Sequence, residues 1–173
     1  MIDEPSALTA PPDDGREFVE WVRPYLSAMA RLASRLAVGA DRDDIVQEAL
    51  ARAWSKRHQY DADRGSPSAW LMAITADQAR KAARRLRPVA ELDDERAEAE
   101  GDPVRQADPD ARIDVANALT GLSERQRLAV DCFYFADLSV ADTAAVMGCS
   151  EGTVKSTLSD ARARLRSMLE VTE

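Results

Sequence analysis

The sequence predicts an all-α protein built as two small helical domains joined by an acidic flexible linker. Two patterns predict this: apolar residues recur at steps of three and four through most of the chain with no alternating strand pattern, and one long stretch between them loses that periodicity. A third is composition, since 45% of the 173 residues are hydrophobic but only 5% are aromatic, which suits one or two small cores better than one large one.

Residues 1–15 combine three prolines, acids and small residues without periodicity and are expected to be a disordered tail. From Phe18 the positions Phe18, Val22, Tyr25, Met29, Leu32 and Leu36 form a helical stripe, kinked or restarted at Pro24 and ended at Gly39. A second helix is expected from about Asp41 to Arg57, burying Val46, Leu50, Ala53 and Trp54. A polar loop, Tyr60 to Pro67, follows. The third helix opens at Ser66 or Ser68 with Pro67 in its first turn, carries Trp70, Leu71, Ile74 and Ala82 on one side, and stops at Pro88. These helices define a first domain over 16–88.

Residues 89–111 hold two Asp-Pro interruptions, Asp102-Pro103 and Asp108-Pro109, and little apolar content, which reads as a linker. The second domain, 112–173, begins with Ile113, Ala116 and Leu119 on one helix. Ser123 then caps a helix from Glu124 to Phe135, Ser139 caps a shorter one to Met147, and Ser150 caps the last, which extends to about Leu169.

Composition excludes several functions. No apolar run approaches the roughly 18 residues that a membrane span needs, and the acidic, Pro-rich start is unlike a signal peptide, so no membrane insertion and a cytoplasmic location are expected. Cys132 and Cys149 have no second pair and the lone His58 is distant, so no metal, cofactor or disulfide framework is expected and both cysteines read as buried thiols. No nucleophile and base pair stands out, so no catalytic residue is assigned and an enzyme is disfavoured. The net charge of −8 is unevenly spread. Residues 78–90 hold five bases and no acid, whereas 91–114 hold ten acids and three bases. Such blocks mark interaction surfaces or tails, and a basic patch can meet phosphate on an acidic protein.

The run from Leu138 to Lys155 has the offsets of a helix-turn-helix. Ala144 is small where two helices cross, Gly148 supplies the turn, and Val154, ten positions after Ala144, plugs the second helix into the first. Ser150, Glu151, Thr153, Lys155, Ser156, Ser159 and Arg162 then lie near the exposed face, types that bond base edges or phosphates, while Val154, Leu158, Ala161 and Leu165 pack inward. The helix N-terminus also directs N–H groups and a positive dipole at phosphate. The plain alternative is an α-hairpin with a solvated polar face.

Upstream, Arg80, Lys81, Arg84, Arg85 and Arg87 recur at spacings of three and four. With Tyr60 and Trp70 close in sequence, such a helix can hold the backbone of a separated strand while an aromatic takes an unstacked base. A solvated cationic face is the alternative. The acidic linker either stays extended and soluble or mimics nucleic acid in a basic channel.

Taken together, residues 17–169 resemble the extracytoplasmic-function sigma factors of bacteria, in the sigma-70 family. The stretch Asp41 to Trp54 is similar to the family's second-region helix, which docks on the clamp helices of the largest subunit (β′) of RNA polymerase, and Asp44, Gln47 and Glu48 share one face at the matching positions. The stretch Tyr60 to Ile74 resembles the loop and helix that melt the promoter and capture a base of the minus-ten element. Here the sequence departs from the family: Ile74-Thr75-Ala76-Asp77 replaces Ile-Ala-Arg-Asn, so the usual asparagine is Asp77. An acid there repels phosphate but can accept from a cytosine amino group. Ala118 to Val130, Gly152 to Ser156 and Ala161 to Arg166 resemble the fourth region, which binds the minus-thirty-five element and the flap of the second-largest subunit (β); Asp142-Thr143-Ala144 replaces a common Glu-Ile-Ala.

The resemblance implies a promoter-specificity subunit whose partners are core RNA polymerase, promoter DNA and an anti-sigma factor. The residues alone also admit a free-standing regulator that reads operator DNA, with the first domain as sensor or dimerisation unit.

Overall fold

The computed structural model describes residues 10–86 and 118–170, and among these every regular element is helical. The expected linker and most of the expected tail lie outside the described residues.

Helix α1 (Gly15–Val22) starts where Asp14 caps it, its carboxylate accepting from the N–H groups of Arg16 and Glu17 at 2.8 and 3.1 Å. The end of the tail is therefore ordered, and Asp13 accepts from Arg57 Nε at 3.1 Å. Pro24 cannot continue the α-helical ladder, so the chain passes through a 3-10 turn, Arg23–Tyr25, into α2 (Leu26–Leu36). Gly39, at φ +89°, ends this stretch in a conformation that glycine adopts without strain.

Asp41 caps α3 (Arg42–Lys56) through the N–H groups of Asp43 and Asp44. It buries Ile45, Ala49 and the expected Ala53, whereas Val46, Leu50 and Trp54, also expected inside, are half-buried at its margin. Small side chains at the centre let α3 approach its neighbours closely, and the large ones close the edges. The fourth helix, α4 (Pro67–Leu86), is started by Ser66, whose Oγ accepts from the N–H of Ala69 at 3.1 Å, with Pro67 first. It buries Ala69, Leu71, Met72, Thr75, Ala76 and Ala79, and Thr75 satisfies its hydroxyl on the carbonyl of Leu71 at 2.8 Å. Trp70, Ile74 and Ala82, expected inside, are half-buried. Met29, Leu32, Leu71 and Met72 are fully buried where α2, α3 and α4 meet.

In the second unit, Ser123 and Gln126 form a capping box at the start of α5 (Glu124–Val130), with bonds of 3.2 and 3.1 Å. The helix expected to run on to Phe135 does not stay α-helical. A π turn, Asp131–Phe135, follows, in which the N–H of Ala136 reaches back five residues to the carbonyl of Asp131 at 2.8 Å. The wider turn accommodates an extra residue and turns Asp131 and Cys132 inward together. Ser139 caps α6 (Val140–Met147), accepting from the N–H of Asp142, and the last helix is α7 (Glu151–Glu170).

The two units are packed together, which their separation by a linker does not predict. Helix α4 lies along α6 and α2 lies on the π turn. Cys132, Ala136, Leu138 and Val146 of the second unit join the same apolar cluster as Leu32, Leu71, Met72 and Ala76 of the first.

Candidate nucleic-acid interface

The α6-turn-α7 segment has the helix-turn-helix geometry that its sequence predicts. Gly148 adopts φ +62°, ψ +38° and returns its N–H to the carbonyls of Ala144 and Ala145, so the chain reverses without a Cβ penalty. Cys149 N–H adds a bond to the Ala144 carbonyl at 3.1 Å. Ala144 is buried where α6 and α7 approach, and Val154 is fully buried against Leu122, Val130, Leu158 and Ala161. Ser150 caps α7 by accepting from Thr153 N–H at 3.2 Å, and the two hydroxyls lie 2.9 Å apart.

Of the residues expected to meet DNA here, Ser150, Glu151, Lys155, Ser156, Ser159 and Arg162 are exposed and Thr153 is half-buried. Glu151, Lys155, Ser159 and Arg162 recur at steps of four, four and three, which makes one face about 16 Å long. The hydroxyl of Ser156 donates to the carbonyl of Thr153 at 3.0 Å, so it and Thr153 serve the helix itself.

The basic residues of α4 divide. Arg84 and Arg85 are exposed. Lys81 pairs with Asp77 at 2.8 Å, four residues back on the same helix, and Gln78 donates to the same carboxylate at 3.2 Å. The hydrogen bond from Lys81 holds the Asp77 carboxyl below the usual carboxylate range, against a smaller opposing effect of burial and with help from Lys81, Arg52 and Arg80 charges. Asp77 therefore sits in a cationic setting, to which Arg52 is contributed by α3 rather than by the basic stretch. Arg80 turns away from that face: its Nη2 donates to the carbonyl of Val146 on α6 at 3.0 Å.

Tyr60 and Trp70 are brought together, ring centroids 5.5 Å apart, and both meet Trp21 edge-on at 6.4 Å. Trp21, absent from the sequence assignment, links this cluster to Phe18 and Tyr25; its spacing of four from Tyr25 was the available signal. Tyr60 donates its hydroxyl to the carbonyl of Gly65 at 3.1 Å, and burial pushes its phenol pKa up. An open cleft of about 390 Å³ lies beside the ring of Trp70, lined also by Gln59, Asp61, Arg64 and, from the second unit, Ala145.

On α3, Asp44, Gln47 and Glu48 are all exposed, on the side opposite Ile45, Ala49 and Ala53. The assigned residues thus form three patches, one on α3, one on α4 with Tyr60 in the loop before it, and one on α7. Cys132 is buried and its thiol is pushed up to about 12, chiefly by burial. Cys149, expected to be buried, is half-exposed, because it sits in the turn between α6 and α7. Among the described residues no helix is long and apolar enough to cross a membrane.

Comparison with known proteins agrees with this geometry. The family described as sigma-70 region 2 matches residues 21–89, and that described as sigma-70, region 4 matches residues 112–165. The chain is 37% identical over 148 residues to the ECF RNA polymerase sigma factor SigM of Mycobacterium tuberculosis, covering 83% of this chain and 71% of SigM. Two solved structures are similar. CnrH in complex with the cytosolic domain of CnrY gives a TM-score of 0.62 at 26% identity, covering 92% of each chain. The sigma factor RpoE of Bartonella quintana, in complex with the anti-sigma factor NepR, gives a TM-score of 0.57 at 30% identity, covering 91% of this chain and 99% of RpoE. A region 2 unit with its aromatic cluster and basic helix, followed by a region 4 unit with its helix-turn-helix, places the chain in the extracytoplasmic-function RNA polymerase sigma factors of the sigma-70 family.

Proposed function

We propose that the protein works as a promoter-specificity subunit, in the cytoplasm and without catalytic chemistry of its own. It binds core RNA polymerase through Asp44, Gln47 and Glu48, reads the minus-thirty-five element with α7, and holds the opened minus-ten strand with α4 and the loop before it. The domain boundaries that serve this are 16–88 and 112–173, with 89–111 as the connection.

The observation that carries the reading is the exposed polar face of α7, held outward by the burial of Val154, Leu158 and Ala161. The cap at Ser150 leaves the positive end of the helix directed at solvent, where a phosphate would gain charge-assisted hydrogen bonds. Lys155 and Arg162 add cations on the same side, and Glu151 is suited to a cytosine amino group. On the first unit, Arg84 and Arg85 supply backbone contacts, and Lys81 adds to the cationic field while it holds Asp77. Trp70 lines the cleft in which an unstacked base would sit, and the rings of Tyr60 and Trp21 pack against it and hold it in place. Asp77, ionised and flanked by cations, would read a base edge rather than repel the strand.

RpoE is held by an anti-sigma factor in its solved complex, and a protein inhibitor of that kind is proposed for this chain. Run-off transcription with purified core polymerase tests the reading: promoter-specific transcripts should require both core and this protein. A protein that footprints duplex DNA alone, and adds no promoter-specific transcript to core, would be an operator-binding regulator instead.

A further inference from the structure

Helix α4 carries one acid among its 20 residues, Asp77, against the four bases Arg80, Lys81, Arg84 and Arg85. Trp70, Ile74, Asp77 and Lys81 follow one another at steps of four, three and four, so they line one side of the helix. Trp70 borders the cleft at the near end of that side, and Asp77 is exposed seven residues on, about 10 Å along the axis. Lys81 Nζ donates to Asp77 Oδ2 at 2.8 Å, and Gln78 Nε2 donates to the same oxygen at 3.2 Å. Among the described residues no hydrogen bond uses Oδ1, which leaves it as the open acceptor of the carboxylate.

We propose that Asp77 selects, on the opened minus-ten strand, a base with an exocyclic amino group and rejects thymine, the one base that has none, and that Lys81 is the positioning residue that sets this polarity. The selection rests on the sigma-factor reading above, to which it adds the chemical class of the base. Three observations support it. The first is the setting. An exposed pair at this spacing adds little to stability, so stability does not account for a lone acid on a helix whose other charges suit phosphate. The second is reach. Stacked nucleotides advance about 3.4 Å each along a strand, so a base at Asp77 lies no more than about three nucleotides from one held beside Trp70, and one strand can serve both.

The third is the chemistry of the carboxylate. Ionised, it accepts hydrogen bonds and donates none. Cytosine offers an amino group where thymine, of nearly the same outline, offers a carbonyl oxygen that would face Oδ1 acceptor to acceptor. The ratio of the two pyrimidines therefore reports polarity rather than size. Lys81 decides which way a neutral substitute turns, because an ammonium has only donors. In Asp77→Asn the amide oxygen stays on Lys81 and the amide NH2 group takes the place of Oδ1, so the preference inverts toward thymine.

Holoenzyme assembled from core polymerase and the full chain is given a duplex library randomised through both promoter elements, and the open complexes that survive heparin are sequenced. Wild type should favour cytosine over thymine about tenfold at one position of the opened strand, as suits a bond to a charged group. Asp77→Asn should invert that ratio at the same position, to about threefold in favour of thymine. Asp77→Asn with Lys81→Met should bring it near unity, with helicity kept in each variant because the pair lies at the surface. Those results support the selection. Thymine accepted as readily as cytosine by wild type at every position, or ratios unchanged in Asp77→Asn, overturns it. A ratio that falls to unity in Asp77→Asn keeps the role of Asp77 and overturns that of Lys81, as does an inversion that persists without Lys81. A wild-type holoenzyme that opens no member of the library defeats the sigma-factor reading instead, and core-free protein that enriches duplex from the same library then marks a regulator.

Discussion

Replacing Ser150 in two ways separates its service to α7 from its service to DNA. The side chain makes one bond that the helix needs, from Thr153 N–H at 3.2 Å, and one to the Thr153 hydroxyl at 2.9 Å. Ser150→Ala removes the acceptor. Thr153 is half-buried and can turn its hydroxyl to water, so the cost is that of a lost cap, about 1 kcal/mol, or about 2–4 °C in melting temperature for a chain of this length. Ser150→Asp keeps an acceptor at the same place and sets a negative charge at the positive end of the helix, which stabilises by about 0.3–1 kcal/mol. On DNA the order reverses. A carboxylate about 6 Å from a phosphate, at an effective dielectric between that of water and of a protein surface, costs roughly 1–2 kcal/mol, or about tenfold in affinity. Ser150→Ala should lose only a few-fold, through one neutral hydrogen bond. Thermal unfolding by circular dichroism gives the first quantity and promoter titration of the polymerase holoenzyme in run-off assays the second. An Asp variant that melts as low as the Ala variant would show that Ser150 is not the cap. An Asp variant that transcribes like wild type would show that the start of α7 stays away from the phosphates.

Three further expectations follow the three patches. Lys155→Ala with Arg162→Ala should lower promoter-dependent initiation at least tenfold and shallow its salt dependence, while pull-down with core polymerase stays unchanged. Asp44→Ala with Glu48→Ala should do the opposite, weakening core binding about tenfold in fluorescence titration while melting falls by only about 1–2 °C, because both side chains are exposed and Asp44 contributes only its charge in the first turn of α3. Asp77→Asn tests the pairing with Lys81: since the folded carboxyl titrates below its ordinary value, its stabilisation is present above the ordinary carboxylate range and is lost as pH falls through the folded value. The pair is exposed to solvent, so the difference in melting temperature from wild type should be small, about 1 °C at neutral pH, and should vanish once the pH has fallen below the folded value.

Much of the fold was legible because local rules set it. The caps at Ser123, Ser139 and Ser150, the break at Pro24 and the turn at Gly148 depend on residues within four positions of each other, and each lies where the sequence puts it. The misses have a common cause. On α3, Ala49 lies inside beside Ile45 and the expected Ala53, while Leu50 and Trp54 lie at the margin, because small residues let neighbouring helices approach, a preference that hydrophobicity alone does not rank. The π turn at Asp131–Phe135 leaves no trace in the periodicity of five residues, and it is stabilised by Arg35, which lies 96 positions earlier.

By itself the sequence determined what short-range chemistry can specify: helices, their ends, the polar face of α7, and a likeness to known proteins that names the family. Only the tertiary structure decided which charges are available. Arg80 and Lys81 are adjacent in a single basic run, yet one bonds the carbonyl of Val146 across the domain contact and the other pairs with Asp77 on its own helix, leaving Arg84 and Arg85 exposed. The same holds for Trp21, Tyr60 and Trp70, and for Arg35 with Asp131, which meet only when distant helices pack. Helix formation depends on neighbours along the chain and can be read from it. A side chain's partner depends on what packing brings within about 4 Å, and for these groups that is settled only when helices distant along the chain pack together.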